Sequence, residues 1–143
     1  MEASKVNEVW ARAKEIGLMG LDFLGEFSAD EICRGYNGIG PQFLPVRLRD
    51  GVTNKLGIFE PAAMVHDMRF VRSDGSRKAF DYANNEFFVN CHKCAKAAYR
   101  WWSWKRYRAY VIIDAMHEFT CSDLGGWRAW TDACYAKRAE AKA

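Results

Sequence analysis

Residues 78–99 read KAFDYANNEFFVNCHKCAKAAY, and their apolar side chains recur every three or four positions. Residues at this spacing lie on one face of an α-helix, because a helix makes one turn in about 3.6 residues. The stripe consists of Phe80, Ala83, Phe87, Cys91, Cys94 and Ala98. The spacing therefore predicts an amphipathic helix over residues 78–99 with one apolar face.

The same helical spacing extends to most of the chain. It predicts helices over residues 3–16, 61–69, 104–119 and 127–139, and a short helix capped by Ser28. No stretch alternates convincingly between apolar and polar side chains, and residues 42–49 and 52–58 are the two candidates for short strands. A chain of 143 residues can bury a core without disulfides. The sequence therefore predicts a single all-α domain over residues 1–143.

A long glycine-rich loop interrupts the helical pattern between the N-terminal helices and the helix that begins near Pro61. Residues 34–58 contain five glycines together with Pro41 and Pro45. Loops of this length inside a compact domain are usually functional or disordered. Functional residues are therefore expected in this loop.

The segment Tyr36-Asn37-Gly38-Ile39-Gly40-Pro41 alternates glycine with other residues. A backbone without side-chain obstruction can curl its carbonyl groups around a cation, and calcium prefers oxygen ligands. A glycine N–H in such a turn can also stabilise an oxyanion. Tight turns need glycine for ordinary backbone reasons as well, and that alternative stays open for the segment on its own.

His66 and Asp67 lie in the middle of the helix that follows the loop. Neighbouring helical residues point about 100° apart, so we expect each side chain to face a different partner. An imidazole here can act as a general base towards water, and the carboxylate can bind a hard cation. The ordinary alternative is a histidine packed against the core beside an exposed aspartate.

The order Y-x-G-x-G, a spacer and then H-D-x-x-aromatic resembles the phospholipase A2 superfamily, and especially its disulfide-poor viral and phage-encoded branch. The matching residues are Tyr36, Gly38, Gly40, His66, Asp67 and Phe70, and the resemblance extends over about residues 36–91. It implies that the carbonyls of Tyr36, Gly38 and Gly40 bind calcium with the carboxylate of Asp67. It also implies that His66 activates the water that attacks an ester carbonyl, while calcium and the Gly38 N–H stabilise the oxyanion.

Two positions depart from the family pattern. Phe70 stands where the family commonly has a tyrosine whose hydroxyl helps to hold a second carboxylate. The residue that orients the histidine is an aspartate in the family, and the flanking alanine and phenylalanine align Asn84 with it. Asp81 lies one turn earlier on the same face and is the second candidate. An amide oxygen accepts a hydrogen bond but stabilises an imidazolium less than a carboxylate does, so slow turnover, or none, is expected.

The five cysteines are odd in number and lie in helical sequence, which predicts reduced thiols. Cys91 and Cys94 form a C-x-x-C pair, and a zinc site would add ligands from His117, Cys121 and Cys134. Because the pair falls on the apolar stripe, we interpret both thiols as packed small side chains and predict no zinc.

Residues 99–110, YRWWSWKRYRAY, interleave four basic residues with aromatic ones. The net charge is only +3, yet six of the 21 basic residues and none of the acidic ones lie between Lys93 and Tyr110. This composition suits a phospholipid surface. It also suits base stacking with phosphate contacts, or an aromatic core with solvated charges.

The combined expectation is a calcium-dependent hydrolase of phospholipid esters that meets a membrane through residues 99–110. The alternatives are a non-catalytic phage virion or adaptor protein on the same helical frame, and a nucleic-acid-binding module using residues 93–110. MEASKVNEVW lacks the features of a secretory signal, so we expect synthesis in the cytoplasm. The resemblance implies a final location in a phage virion or at a host-cell membrane.

Overall fold

A computed structural model of the chain describes residues 3–36 and 56–132, with Leu124 described by its backbone alone. Within these residues the fold is all-α and contains no strand, as the sequence predicts. The helices are α1 (Ala3–Ile16), α2 (Leu21–Leu24), α3 (Ala29–Gly35), α4 (Glu60–Val71), α5 (Arg77–Ala98) and α6 (Trp104–Cys121). A 3₁₀ turn, Gly57–Phe59, precedes α4, and a π turn, Asp123–Trp127, follows α6. Residues 128–132 are helical again.

Helix boundaries follow local signals in the sequence. Helix α1 coincides with its prediction, and α4, α5 and α6 begin and end within two residues of theirs. Ser28 caps α3: its hydroxyl accepts the N–H of Glu31, whose carboxylate accepts the N–H of Ser28. The C-terminal helix is described only to residue 132, and the rest of its predicted range lies outside the described residues.

The glycine-rich loop is described only at its two ends. Residues 37–55 lie outside the described residues, which leaves the candidate strand at 42–49 without a structural outcome. The candidate strand at 52–58 is wrong at its described end. Gly57 and Ile58 belong to the 3₁₀ turn that leads into α4, because Phe59 donates its N–H to the carbonyl of Leu56.

Helix α5 forms one side of the core, as its apolar stripe predicts. Phe80, Ala83, Phe87, Cys91 and Cys94 are all buried. Ala98 is the exception, because the helix ends there and leaves it exposed, while Ala95 is buried. Cys33, Cys91, Cys94 and Cys121 are free thiols, as predicted, and Cys134 lies outside the described residues.

Helix α4 is buried on nearly all sides and runs through the middle of the molecule. It contacts α1, α3 and α5. Its buried residues are Glu60, Pro61, Ala62, Ala63, Met64, Val65 and Met68. His66 directly follows Val65 in this buried stretch and is itself largely buried.

A short turn over residues 73–76 returns the chain from α4 to α5. The Ser73 hydroxyl accepts the N–H of Gly75, and the Asp74 carboxylate accepts the N–H of Ser76. Gly75 has a φ of 82°, which favours glycine. The sequence SDGS therefore forms a hydrogen-bonded turn that connects α4 to α5.

A smaller aromatic cluster closes the end of the core next to this turn. Phe80, Ala83 and Trp130 are buried there, and Phe70 and Trp127 pack against them. Trp130 is therefore a core residue, while Trp127 is only partly buried. None of the helices in the described parts of the chain is both long enough and apolar enough to cross a bilayer.

Candidate active site

His66 lies on the side of α4 that faces α5, and only 11% of its side chain is exposed. Its ring packs between Phe70 and Phe87, with centroid separations of 4.7 Å to each. These contacts hold the plane of the imidazole, so the ring nitrogens point in defined directions.

Asn84 holds one of those nitrogens. Its Oδ1 atom lies 3.0 Å from His66 Nε2, and the residue is fully buried. Its Nδ2 atom donates to the backbone carbonyl of Thr120 at 3.3 Å. Since a carbonyl only accepts, the amide must present its oxygen to His66, and Nε2 must carry the proton. In the neutral imidazole the lone pair therefore lies on Nδ1.

Asp67 lies on the Nδ1 side of the ring. Its Oδ1 atom is 3.9 Å from His66 Nδ1, too far for a hydrogen bond, as expected for neighbours on a helix. Its side chain is 22% exposed, so the carboxylate is half-buried and not a solvated surface group. A group that approaches the free nitrogen would therefore also meet this carboxylate.

Tyr36 is the first residue of the glycine-containing segment 36–41 and lies in the region of Asp67. It follows α3, donates its N–H to the carbonyl of Ile32 and buries its side chain. Burial raises the pKa of its hydroxyl, and the negative charges of Glu60 and Asp67 raise it further. Among the described residues, none forms a hydrogen bond with this hydroxyl. The chain therefore enters the loop beside Asp67, while Gly38 and Gly40 lie outside the described residues.

Asp81 does not share the position of Asn84. Its carboxylate lies on the surface, half exposed, and accepts a hydrogen bond from Arg77 Nε at 3.2 Å. Although Asp81 is only three residues from Asn84, its carboxylate is directed towards Arg77 and solvent and not into the interface with α4. Of the two candidates for orienting His66, the structure places Asn84 beside it.

Phe70 adds an apolar wall to the site. Its ring contacts His66 on one side and meets Trp130 edge-to-face at 4.4 Å on the other. Phe70 stands where the phospholipase A2 family commonly has a tyrosine, and here its ring is part of the aromatic cluster.

The groups around Asp67 offer oxygen atoms, which is the type of ligand that calcium prefers. Asp67 supplies a carboxylate, and Glu60 supplies a second one near Tyr36, although Lys5 pairs with it at 3.2 Å. Within residues 3–36 and 56–132, no three His, Cys, Asp or Glu side chains group closely enough to hold a metal ion. Any calcium bound here would need backbone carbonyls as well, which is the role implied for Tyr36, Gly38 and Gly40.

Sequence reasoning missed two groups at the site. Phe87 was identified only as a core residue, although its position one turn from Asn84 puts both on the same face. The Thr120 carbonyl gives no sequence signal, because every residue has one and only the packing of α6 brings it to Asn84.

Cys91 and Cys94 face the core, as predicted. Burial raises the pKa of both thiols, which favours the neutral form over the thiolate that zinc binds. His117 and Cys121 pair on α6 with Nε2 and Sγ 3.5 Å apart.

The interpretation of residues 99–110 as an aromatic core is wrong for four of the aromatic residues. Trp101, Trp102 and Trp104 are 78%, 62% and 69% exposed, and Tyr107 is exposed as well. Only Tyr99 and Tyr110 pack partly against the core.

Comparison with protein-family models, with curated proteins and with solved structures finds no match to this chain.

Proposed function

We propose that the protein hydrolyses phospholipid ester bonds in a calcium-dependent reaction, with His66 as the general base. The contact between His66 Nε2 and Asn84 Oδ1 is the observation that carries this proposal. It fixes the tautomer that leaves a lone pair on Nδ1, which a base needs in order to accept a proton from water.

The residues of the site would then have separate roles in the reaction. Nδ1 of His66 removes a proton from the attacking water and later returns it to the leaving alcohol. The imidazolium formed in between is stabilised by the Asn84 amide oxygen and the nearby Asp67 carboxylate. Phe70 and Phe87 exclude water from the ring faces.

Asp67 and the carbonyls of Tyr36, Gly38 and Gly40 are the groups that would hold calcium. When bound, calcium would polarise the ester carbonyl and stabilise the oxyanion, to which the Gly38 N–H would donate. An amide at position 84 stabilises the imidazolium less than a carboxylate would, so we expect turnover to be slow.

The test is release of fatty acid from phospholipid, with calcium or with a chelator present. His66→Gln should lower the rate at least about 100-fold, the usual contribution of a general base. His92→Gln is the matched control: it changes a partly buried histidine on α5 that packs against the rings of Phe88 and Tyr110, away from the site. Full activity of His66→Gln, or activity independent of calcium, would contradict the proposal.

A non-catalytic virion or adaptor protein is the second candidate. The amide at position 84 and the apolar closure by Phe70 and Trp130 favour it, because both replace polar support with packing. It predicts that millimolar calcium leaves the melting temperature unchanged and that no fatty acid is released. Calcium-dependent stabilisation together with lipid hydrolysis would exclude it.

A further inference from the structure

Helix α6 is apolar on two opposite sides. Of its 18 residues, only Ala109 and Ile113 are buried against the rest of the protein. The outward side carries exposed aromatic and aliphatic residues, namely Trp104, Tyr107, Val111, Ile112 and Phe119. A helix exposed to water normally carries polar residues there, so this side is suited to contact with another apolar phase.

The turn before α6 concentrates this apolar surface in one place. Trp101 and Trp102 project from the loop before the helix, and Trp104 and Tyr107 extend the exposed aromatic surface along the first turn of α6. We call these four residues the aromatic corner. Together with Arg106 and Tyr110 they line an open groove of about 420 Å³.

Basic residues surround the aromatic corner. Arg100, Lys105 and Arg108 are exposed beside it, and Arg106 donates to the Tyr110 hydroxyl at 2.7 Å. Exposed acidic residues on α6 occur only towards its other end, at Asp114 and Glu118. The charge along α6 therefore favours an anionic surface at the aromatic corner and disfavours one at the opposite end.

From this juxtaposition we propose that the aromatic corner docks the protein on bilayers rich in anionic phospholipid. Tryptophan and tyrosine favour the level of the lipid headgroups, and lysine and arginine are attracted to anionic lipid. The docking surface is separate from His66. Trp104 and Thr120 lie 16 positions apart on one helix, which corresponds to about 24 Å. The inference goes beyond the proposed function and needs no turnover.

Ring packing favours lipid over single-stranded nucleic acid as the partner. Trp104 and Tyr107 stack on each other with centroids 5.1 Å apart, and Trp101 meets Trp102 edge-on at 5.3 Å. A base-stacking platform needs open ring faces in succession, and here the rings already cover one another. Insertion among headgroups needs only a protruding apolar cluster with basic neighbours.

The experiment measures co-sedimentation of the full chain with phosphatidylglycerol vesicles and with phosphatidylcholine vesicles. The wild-type protein should partition at least about tenfold more strongly onto phosphatidylglycerol, and salt should weaken this preference. Trp101→Ala/Trp102→Ala and Lys105→Glu/Arg108→Glu should each lower partitioning about tenfold or more. All four side chains are exposed, so both variants should fold, and circular dichroism checks this.

Lys78→Glu/Arg128→Glu is the matched charge control. Lys78 lies in the first turn of α5, about 30 Å along that helix from the aromatic corner, and Arg128 follows the π turn beyond α6. This variant changes the net charge by the same amount as Lys105→Glu/Arg108→Glu and should retain most of the binding.

Activity and docking are separated by two further measurements. His66→Gln should bind vesicles like the wild type, and the tryptophan variant should keep the wild-type rate on a short-chain phospholipid dissolved as monomers. If the wild type hydrolyses no lipid but still docks, only the proposed function fails.

Three results would overturn the docking proposal. One is unchanged vesicle binding of both corner variants. Another is binding of the wild type to a labelled oligothymidylate but to neither kind of vesicle. The third is a wild-type dimer that the tryptophan variant converts to monomer, with no vesicle binding, which would assign the corner to self-association.

Discussion

At the scale of the residue, the two contacts of Asn84 explain why an amide suits this buried position. Its oxygen faces His66, and its nitrogen donates to the Thr120 carbonyl. An aspartate here could hold the imidazole but could not donate to that carbonyl, and two acceptors would then face each other in the core. The choice of asparagine therefore depends on how α6 packs.

Replacing Asn84 with leucine should lower the free energy of unfolding by about 1–3 kcal/mol, because the substitution leaves the Thr120 carbonyl and the His66 N–H without their buried partner. Asn85→Leu is the matched control, since Asn85 is exposed on the same helix. Its effect should stay within about 0.5 kcal/mol. Urea denaturation measures both. Similar losses in the two variants would show that the amide contacts contribute nothing specific.

The site could be predicted from the sequence only in part. The resemblance to the phospholipase A2 pattern implies Asn84 as the residue that orients His66, and the structure places Asn84 against His66. The packing of Phe70 against Trp130 could not be predicted, because the two residues are 60 positions apart and no local sequence pattern links them.

At the scale of the element, α5 holds the turn between α1 and α2 through polar contacts. The buried side chain of Asn90 accepts the N–H of Met19 and donates to its carbonyl, at 2.7 and 3.1 Å. Lys93 donates to the carbonyl of Gly17 at 2.6 Å. The glycines predict a bend here, but the sequence does not show which of them packs closely.

Gly17 and Gly20 provide a matched pair for testing that packing. Both have positive φ, 69° and 80°, so alanine should cost about 1–2 kcal/mol of strain at either position. At Gly17 the added methyl group meets no atom of the described residues within 4 Å. At Gly20 it would lie 2.8 Å from Glu86 Oε1 and 2.9 Å from Val65 Cγ1.

Gly20→Ala should therefore be the more destabilising substitution, by about 1–3 kcal/mol beyond Gly17→Ala. Glu86 cannot yield easily, because it is buried and accepts two hydrogen bonds from Arg69, at 2.8 and 2.9 Å. Thermal and urea unfolding of the two variants give the difference. Equal losses would mean that α5 adjusts without cost and that only backbone strain matters.

At the scale of the whole molecule, the sequence predicts where helices occur better than how they pack. Helices α1 and α5 each have one apolar face, so periodicity indicates both the helix and its buried side. Helix α4 is buried nearly all round, and α6 is apolar on opposite sides, so periodicity predicts each as a helix without showing its environment. Helix α4 carries His66, and helix α6 carries Trp104 and Tyr107 of the aromatic corner.

Cys94 makes the stability of the whole fold sensitive to alkaline pH. Burial raises the pKa of its thiol from 9.0 to about 11, with Arg12 opposing the change. A thiol whose pKa is higher in the folded state stabilises the fold fully below the unfolded value, and that stabilisation is lost as pH rises through the folded value. The wild-type free energy of unfolding should thus fall by roughly 2–3 kcal/mol between pH 9 and 11 on account of Cys94.

Cys94→Ala should be less stable at neutral pH, because it leaves a small cavity, but should lose less stability over the alkaline range. Urea denaturation with a reducing agent at a series of pH values measures both curves, and parallel curves would show that Cys94 does not titrate within the folded protein.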